Sequence, residues 1–189
     1  MNVVLAFVLF SLILFTWGEE YIKTEDAIYG IEVNPLAEEI GFKRGDKIIA
    51  FDNNPVGENF YELQVDLIRN EVSTVTVIRD NDTLDIKIDS EYIPAMLNTP
   101  GMFMLRTPIA IGGFPDSSIN ASSGIKPGDR IIRVAERDAM FYDQLQSALA
   151  PLSGTQTALT VIRENSELTF PIEVNNEGRI EVFLQSDIS

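Results

Sequence analysis

Gly41-Phe42-Lys43-Arg44-Gly45-Asp46-Lys47-Ile48-Ile49 returns, in altered form, as Gly124-Ile125-Lys126-Pro127-Gly128-Asp129-Arg130-Ile131-Ile132. Thr76-Val77-Ile78-Arg79 likewise recurs as Thr160-Val161-Ile162-Arg163. Matches that keep one order and nearly one spacing indicate a duplicated unit. Each copy spans about 80 residues, which is too long for a solenoid repeat and sufficient for a small domain. The sequence therefore predicts two domains in tandem.

Each copy has the same predicted order of secondary structure: a strand, a short helix ending at glycine, a second strand, an amphipathic helix and a β-hairpin. In the first copy these elements are predicted at residues 28–33, 36–41, 47–51, 59–70 and 74–88. In the second copy they are predicted at residues 108–112, 117–124, 130–134, 141–149 and 158–172, with a last strand at 179–184. Asp80-Asn81-Asp82 is interpreted as a hairpin turn, because the glycine and distal glutamate of a calcium loop are missing. The pattern predicts an α+β protein.

The amino-terminal segment is apolar. Residues 2–18 carry no charge, although a membrane-spanning helix needs about 20 apolar residues and this run is slightly shorter. No basic residue precedes Val3 and no small-residue cleavage site follows, while Trp17 and Tyr21 are typical of a helix end at the lipid boundary. We therefore expect a truncated transmembrane helix with its exit, and a signal peptide is the alternative. The expected organisation is this helix and exit at 1–22, a first domain at 23–91, a linker rich in Met and Pro at 92–106, and a second domain with a C-terminal strand at 107–189.

The composition excludes several functions. The chain has 29 Asp and Glu against 14 Lys and Arg, and its formal net charge is −15. Nucleic-acid binding needs clustered basic residues, and the sequence has no such cluster. It also has no His and no Cys, which excludes Ser-His and Cys-His catalytic pairs as well as disulfides. We therefore expect no catalysis by this chain alone and no metal site in it.

The signature region resembles a known domain family. Residues 34–48 read x-Pro-x-Ala-x-x-x-Gly-Phe-x-x-Gly-Asp-x-Ile, which is similar to the bacterial, circularly permuted PDZ domain, and residues 114–124 follow this pattern more loosely. The resemblance implies two tandem PDZ domains, each a small β-barrel or sandwich with one main helix. Gly45-Asp46 and Gly128-Asp129 are interpreted as turn residues, because glycine permits the turn and the carboxylate binds backbone N–H groups of the loop.

An apolar helix that leads directly into two such domains resembles the region between the second and third membrane segments of site-2 intramembrane zinc metalloproteases, the regulator of sigma-E protease group. This implies periplasmic PDZ domains of a bacterial inner-membrane hydrolase that performs regulated intramembrane proteolysis, for example of an anti-sigma factor. The zinc ion, a His-Glu-x-x-His helix and an Asp would belong to parts of the parent enzyme outside this chain. The PDZ pair, a monomer, would filter transmembrane protein substrates above the active site or bind their C-terminal peptides.

The family also implies where peptides would bind. PDZ domains capture an extended peptide as an added strand beside a helix. The candidate peptide-binding residues are Gly30, Ile31, Glu32, Val33, Leu63 and Leu67 in the first copy and Ile109, Ala110, Ile111, Gly112 and Leu145 in the second. Neither copy has a Gly-Leu-Gly-Phe loop for a terminal carboxylate, so the sequence leaves open whether the grooves bind peptide or the domains act by bulk alone.

Two other kinds of protein remain as alternatives. One is a membrane-anchored PDZ adaptor without protease activity. The other is the tail of an HtrA-type serine protease, in which tandem PDZ units follow a soluble catalytic domain. The apolar helix that runs almost directly into the first copy counts against the second alternative.

Overall fold

The computed structural model describes residues 2–17 and 21–187, and the chain divides into two compact units after Arg106. Both units combine antiparallel β-sheets with short helices, so the protein is α+β, as predicted. The division coincides with the predicted start of the second domain at residue 107. The predicted exit from the first helix includes residues 18–20, which lie outside the described residues.

Helix α1 (Asn2–Trp17) is formed by the uncharged apolar run. Val3, Phe7 and Phe15 are among its exposed side chains. The helix has 16 residues. Across residues 2–17 and 21–187, no helix is both long enough and apolar enough to cross a membrane.

The first unit contains two antiparallel sheets. Its strands are β1 (Ile31–Val33), β2 (Lys47–Phe51), β3 (Asn54–Pro55), β4 (Thr74–Arg79), β5 (Asp82–Lys87) and β6 (Phe103–Leu105). Its helices after α1 are α2 (Pro35–Ile40), α3 (Leu63–Arg69) and α4 (Ile93–Asn98), with short 3-10 turns at Thr24–Asp26, Phe60–Glu62 and Ser90–Tyr92. One sheet has the order β3-β2-β4-β5, and the other pairs β1 with β6. Strand β2 has the predicted bounds, and α3 with the turn before it covers the predicted amphipathic helix.

Local sequence explains how α2 begins and ends. The side chain of Asn34 accepts a hydrogen bond from the backbone N–H of Ala37 at 2.9 Å, and Pro35 occupies the first helical turn. Both are typical features of a helix start. Proline suits the first turn because it lacks the backbone N–H group that would have no partner within the helix there. Gly41 ends the helix with a φ of 118°, a left-handed conformation that favours glycine. The predicted short helix ending at Gly41 is confirmed.

The two predicted hairpins, β4–β5 and β10–β11, each turn through two residues with positive φ. Asp80 and Asn81 have φ values of 50° and 72°, and Glu164 and Asn165 have values of 49° and 61°. Two consecutive positive φ values are typical of the tight turns whose twist matches that of paired strands. Asp80-Asn81-Asp82 is therefore confirmed as the hairpin turn between β4 and β5.

Residues 92–106, expected to be a linker, belong to the core of the first unit. Met96, Met102 and Phe103 are 1%, 0% and 8% exposed and pack in the same cluster as Leu63 and Leu67. The sequence did not indicate this because the segment has no regular apolar period. Its burial depends on contacts with distant parts of the chain.

The second unit has one sheet with the order β11-β10-β8-β7-β12, and β9 pairs with β8. Its strands are β7 (Ile109–Gly113), β8 (Arg130–Val134), β9 (Arg137–Asp138), β10 (Gln156–Arg163), β11 (Ser166–Glu173) and β12 (Phe183–Ser186), and its main helix is α5 (Tyr142–Leu149). Residues 117–124 form turns and not the predicted short helix. The side chain of Asn120, which is 1% exposed, bonds the backbone of Glu173 and Ile180 and so ties this segment to a distant part of the chain.

Candidate functional site

The same buried ion pair supports the signature turn in both units. Asp46 is fully buried and accepts hydrogen bonds from Nε and Nη2 of Arg79, both at 2.7 Å, and from the N–H of Lys43 at 2.8 Å. Arg79 also donates to the carbonyl of Gly41 at 2.9 Å. The hydrogen bonds with Asp46 raise the pKa of Arg79, because they stabilise its charged form. All of these interactions hold the turn together.

The second unit repeats this set. Asp129, 1% exposed, accepts from Arg163 at 2.6 and 2.7 Å and from the N–H of Lys126 at 2.7 Å, and Arg163 donates to the carbonyl of Gly124 at 2.9 Å. The hydrogen bonds with Asp129 also raise the pKa of Arg163. Sequence reasoning predicted the bonds from the loop N–H groups but missed both arginines. The recurring Thr-Val-Ile-Arg was the signal that pointed to them.

The ion-paired turn of each unit forms backbone hydrogen bonds with one edge of the first strand in that unit. The N–H of Ile31 donates to the carbonyl of Asp46 at 2.9 Å, and the N–H of Gly45 donates back at 2.8 Å. Ile111 makes the equivalent pair with Asp129 and Gly128, at 2.9 and 2.7 Å. The opposite edges of the two strands pair with β6 and β12 respectively. Strands β1 and β7 are thus paired along both edges.

The predicted site residues lie mostly in this paired and buried part of each unit. The exposed fraction is 8% or less for Ile31, Val33, Leu63, Leu67, Ile109, Ala110, Ile111 and Leu145. Glu32 accepts from Nη1 of Arg106 at 2.8 Å. A Cβ atom on Gly30 would lie 2.4 Å from the carbonyl oxygen of Gly45, and one on Gly112 would lie 3.3 Å from the side chain of Gln185. These residues form strands and core and do not offer the free strand edge expected of them. Leu145 also lines the groove of the second unit.

The open groove of the second unit lies between α5 and the segment that leads into β12. It has a volume of about 640 Å³. It is lined by Tyr142, Leu145, Gln146, Leu149 and Ala150 from the helix side and by Glu177, Gly178, Arg179, Ile180, Glu181, Val182 and Leu184 from the other. Leu145, Leu149 and Ile180 are nearly fully buried, so the groove has an apolar base. On its helix side, Gln146 donates to the hydroxyl of Tyr142 at 3.0 Å.

Three consecutive backbone donors lie along this groove. Within the part of the chain that the structure describes, the N–H groups of Ile180, Glu181 and Val182 have no hydrogen-bond acceptor. Glu181 has a φ of 50°, and successive N–H groups around a left-handed residue can converge on an anion. Its own carboxylate is bound elsewhere, by the N–H of Ile119 at 3.2 Å and by Nδ2 of Asn175 at 3.0 Å. The donors are therefore available to a ligand.

Other side chains fix the shape of this segment. Nδ2 of Asn120 donates to the carbonyl of Ile180 at 2.7 Å, and the hydroxyl of Ser118 donates to the carbonyl of Glu181 at 2.7 Å. The expected last strand at 179–184 accordingly begins only at Phe183. Sequence reasoning did not identify residues 180–182, because their position depends on side chains about sixty residues earlier in the chain.

In the first unit, the segment that precedes β6 is bonded directly to the main helix α3. Gln64 on α3 donates from Nε2 to the carbonyls of Met96 at 3.0 Å and Thr99 at 2.9 Å, and its Oε1 accepts from the N–H of Met102 at 3.0 Å. Two cavities of this unit, of about 500 and 250 Å³, lie elsewhere, beside Val72 and Val56 respectively. The main helix of the first unit is therefore bonded to the chain's own residues 96–102.

Among residues 2–17 and 21–187, no group of three or more carboxylate, His or Cys side chains is placed to hold a metal ion. No protein-family model matches the sequence, and a search of curated proteins finds no match. The class of protein is thus defined by its architecture: an α+β chain of two units that share one ion-paired turn.

Proposed function

We propose that this chain is a tandem PDZ region that binds extended peptide in the groove of its second unit, as the periplasmic part of a membrane-embedded site-2 zinc metalloprotease. In the parent enzyme the two domains would filter transmembrane substrates, such as an anti-sigma factor, before their intramembrane cleavage. The zinc ion and its ligands would lie outside this chain, which has no His. The chain's own task would be to select substrates.

The groove between α5 and residues 177–184 carries this proposal. A strand beside a helix, with an apolar base between them, is the arrangement with which PDZ domains add a peptide strand. Leu145, Leu149 and Ile180 supply the apolar base for a side chain. The unpaired N–H groups of residues 180–182 supply donors for a carboxylate.

A titration of the full chain in detergent micelles tests peptide binding. The probe is a pool of nine-residue peptides with an apolar last residue and a free carboxylate, and binding is followed by NMR of the backbone amides. We expect shifts at Ile180, Glu181 and Val182, because a carboxylate would accept their hydrogen bonds. The same pool amidated at its C-terminus should bind at least about tenfold more weakly, a difference of about 1.4 kcal/mol. If these three amides do not respond up to about 1 mM of the acid pool, peptide capture is refuted.

The sequence of the gene on both sides of this segment tests the protease assignment. We expect an upstream apolar helix with His-Glu-x-x-His and a downstream apolar helix with an Asp. If neither flank encodes these elements, the protease assignment fails and the chain is a PDZ adaptor.

A further inference from the structure

The first unit holds its own residues where the second has an open groove, and Gln64 makes the contact. An amide side chain has two N–H donors and one carbonyl acceptor. Gln64 uses its Nε2 group for the carbonyls of Met96 and Thr99 and its Oε1 for the N–H of Met102. Its polar atoms are therefore engaged with one segment that lies 32 to 38 residues later in the chain.

Side chains from residues 96–102 are also buried in the core of the first unit. Met96 and Met102 are 1% and 0% exposed, and both belong to the core that includes Leu63 and Leu67 of α3. Phe103, which begins β6, packs edge to face against Phe42 at 4.9 Å between ring centroids. A peptide that entered between α3 and β6 would have to displace buried apolar groups and break three hydrogen bonds.

The second unit lacks this contact at the equivalent place. Within the described residues, the side chains of Gln144 and Gln146 on α5 bond at the helix itself: Gln144 accepts from the N–H of Phe141, and Gln146 donates to the hydroxyl of Tyr142. The facing segment leaves the N–H groups of residues 180–182 without an acceptor, and about 640 Å³ of open space remains. The duplicated units thus have different grooves on the same supporting turn.

We propose that residues 96–102 are a built-in occupant of the first unit's groove, held by Gln64, and that the chain has a single peptide site, in the second unit. This inference rests on the proposed function. It assigns the first unit a supporting role and the second unit the recognition of an apolar peptide end. The tandem would then bind one peptide per chain.

Hydrogen exchange of the full chain in detergent micelles tests the occupied groove without any peptide. The N–H of Met102 should exchange at least a hundredfold more slowly than the N–H groups of Ile180, Glu181 and Val182. Gln64→Ala should speed exchange at Met102 at least tenfold. The matched control is Asn98→Ala, which removes only a bond within α4, from Nδ2 to the carbonyl of Pro94 at 2.7 Å, and should leave Met102 unchanged. Equal exchange at Met102 and at residues 180–182 would overturn the inference.

Binding stoichiometry provides the second test, with the acid peptide pool as the probe. Phe60-Tyr61 resembles Phe141-Tyr142 in sequence, each pair lies at the start of the main helix of its unit, and both tyrosines are exposed. Tyr142→Ala should weaken binding at least tenfold, whereas Tyr61→Ala should leave affinity and a ratio of one peptide per chain unchanged. Two peptides per chain, or an effect of Tyr61→Ala equal to that of Tyr142→Ala, would contradict a single site. If no peptide binds at all, the proposed function fails, and the exchange of Met102 still decides whether the first groove is occupied.

Discussion

Replacing Arg79 with Met should destabilise the first unit by about 3 kcal/mol, because the change leaves a buried carboxylate without its charged partner. Arg79 supplies two hydrogen bonds of 2.7 Å to Asp46 and one of 2.9 Å to Gly41. Removing one member of a buried pair costs about 3–5 kcal/mol. We expect the lower end of this range, because the Arg79 side chain is 19% exposed and water reaches part of it. Met preserves most of the aliphatic length of the side chain.

Urea unfolding of the full chain, followed by methyl NMR, measures this loss in each unit separately. Val75 reports on the first unit and Ile131 on the second, and both side chains are fully buried. The matched control is Arg69→Met, whose ion pair with Asp66 at 3.1 Å involves an arginine that is 63% exposed. An exposed pair contributes less than about 1 kcal/mol. If Arg79→Met costs no more than Arg69→Met, the buried pair is not what stabilises the turn.

The pH dependence follows from the direction of the pKa shift. The hydrogen bonds with Asp46 raise the pKa of Arg79 above its ordinary value. A raised folded-state pKa gives stability that is complete below the unfolded-state pKa and is lost only as pH rises through the folded-state value. The cost of Arg79→Met should therefore be the same at about pH 7 and about pH 10. A cost that falls by more than about 1 kcal/mol between these two values would contradict a permanently charged Arg79.

Three further substitutions test other parts of the structure by urea unfolding. Gly30→Ala should prevent stable folding of the first unit, because the added Cβ would lie 2.4 Å from a backbone oxygen. The control Gly101→Ala has a similar φ and open space around it, so it should cost only about 1–2 kcal/mol of unfolding free energy. Equal costs would be inconsistent with the close approach at Gly30. Met102→Ala should cost about 2–5 kcal/mol, and an unchanged midpoint would show that residues 92–106 are a linker after all. Asn120→Ala should cost about 1–3 kcal/mol of unfolding free energy and weaken peptide binding, because the carbonyl of Ile180 loses the hydrogen bond from Asn120 that holds it in place. Tight peptide binding by the variant would contradict this positioning role.

The elements predicted well from the sequence are those with local causes. β2 and β8 have the predicted bounds, since each follows the repeated Gly-Asp turn and contains consecutive isoleucines, which favour strands. The hairpin at Asp80-Asn81 was predicted because its turn chemistry is contained in adjacent residues. The repeat itself predicted two units, and the structure divides after Arg106.

The candidate site was harder to predict because distant residues build it. Gln64 bonds to residues 32 to 38 positions away, and Asn120 bonds to residues 53 and 60 positions away. Neither contact leaves a periodic pattern in the sequence. The main helices were identified, but their facing strands were assigned to β1 and β7, which are paired on both edges. The order of elements alone does not distinguish the first strand of a unit from its last, because the two strands are neighbours in the same sheet.

This neighbour relation has a consequence for biosynthesis. Ile31 pairs with Leu105 in the first unit, and Ile111 pairs with Leu184 in the second, so each unit is closed by its two ends. Such distant pairing is slow to form, and it cannot form before the last strand has left the ribosome. Until then, β1 or β7 has an uncovered edge that can pair with another chain. A nascent chain that stalls before residue 183 would therefore expose β7 and be prone to aggregate.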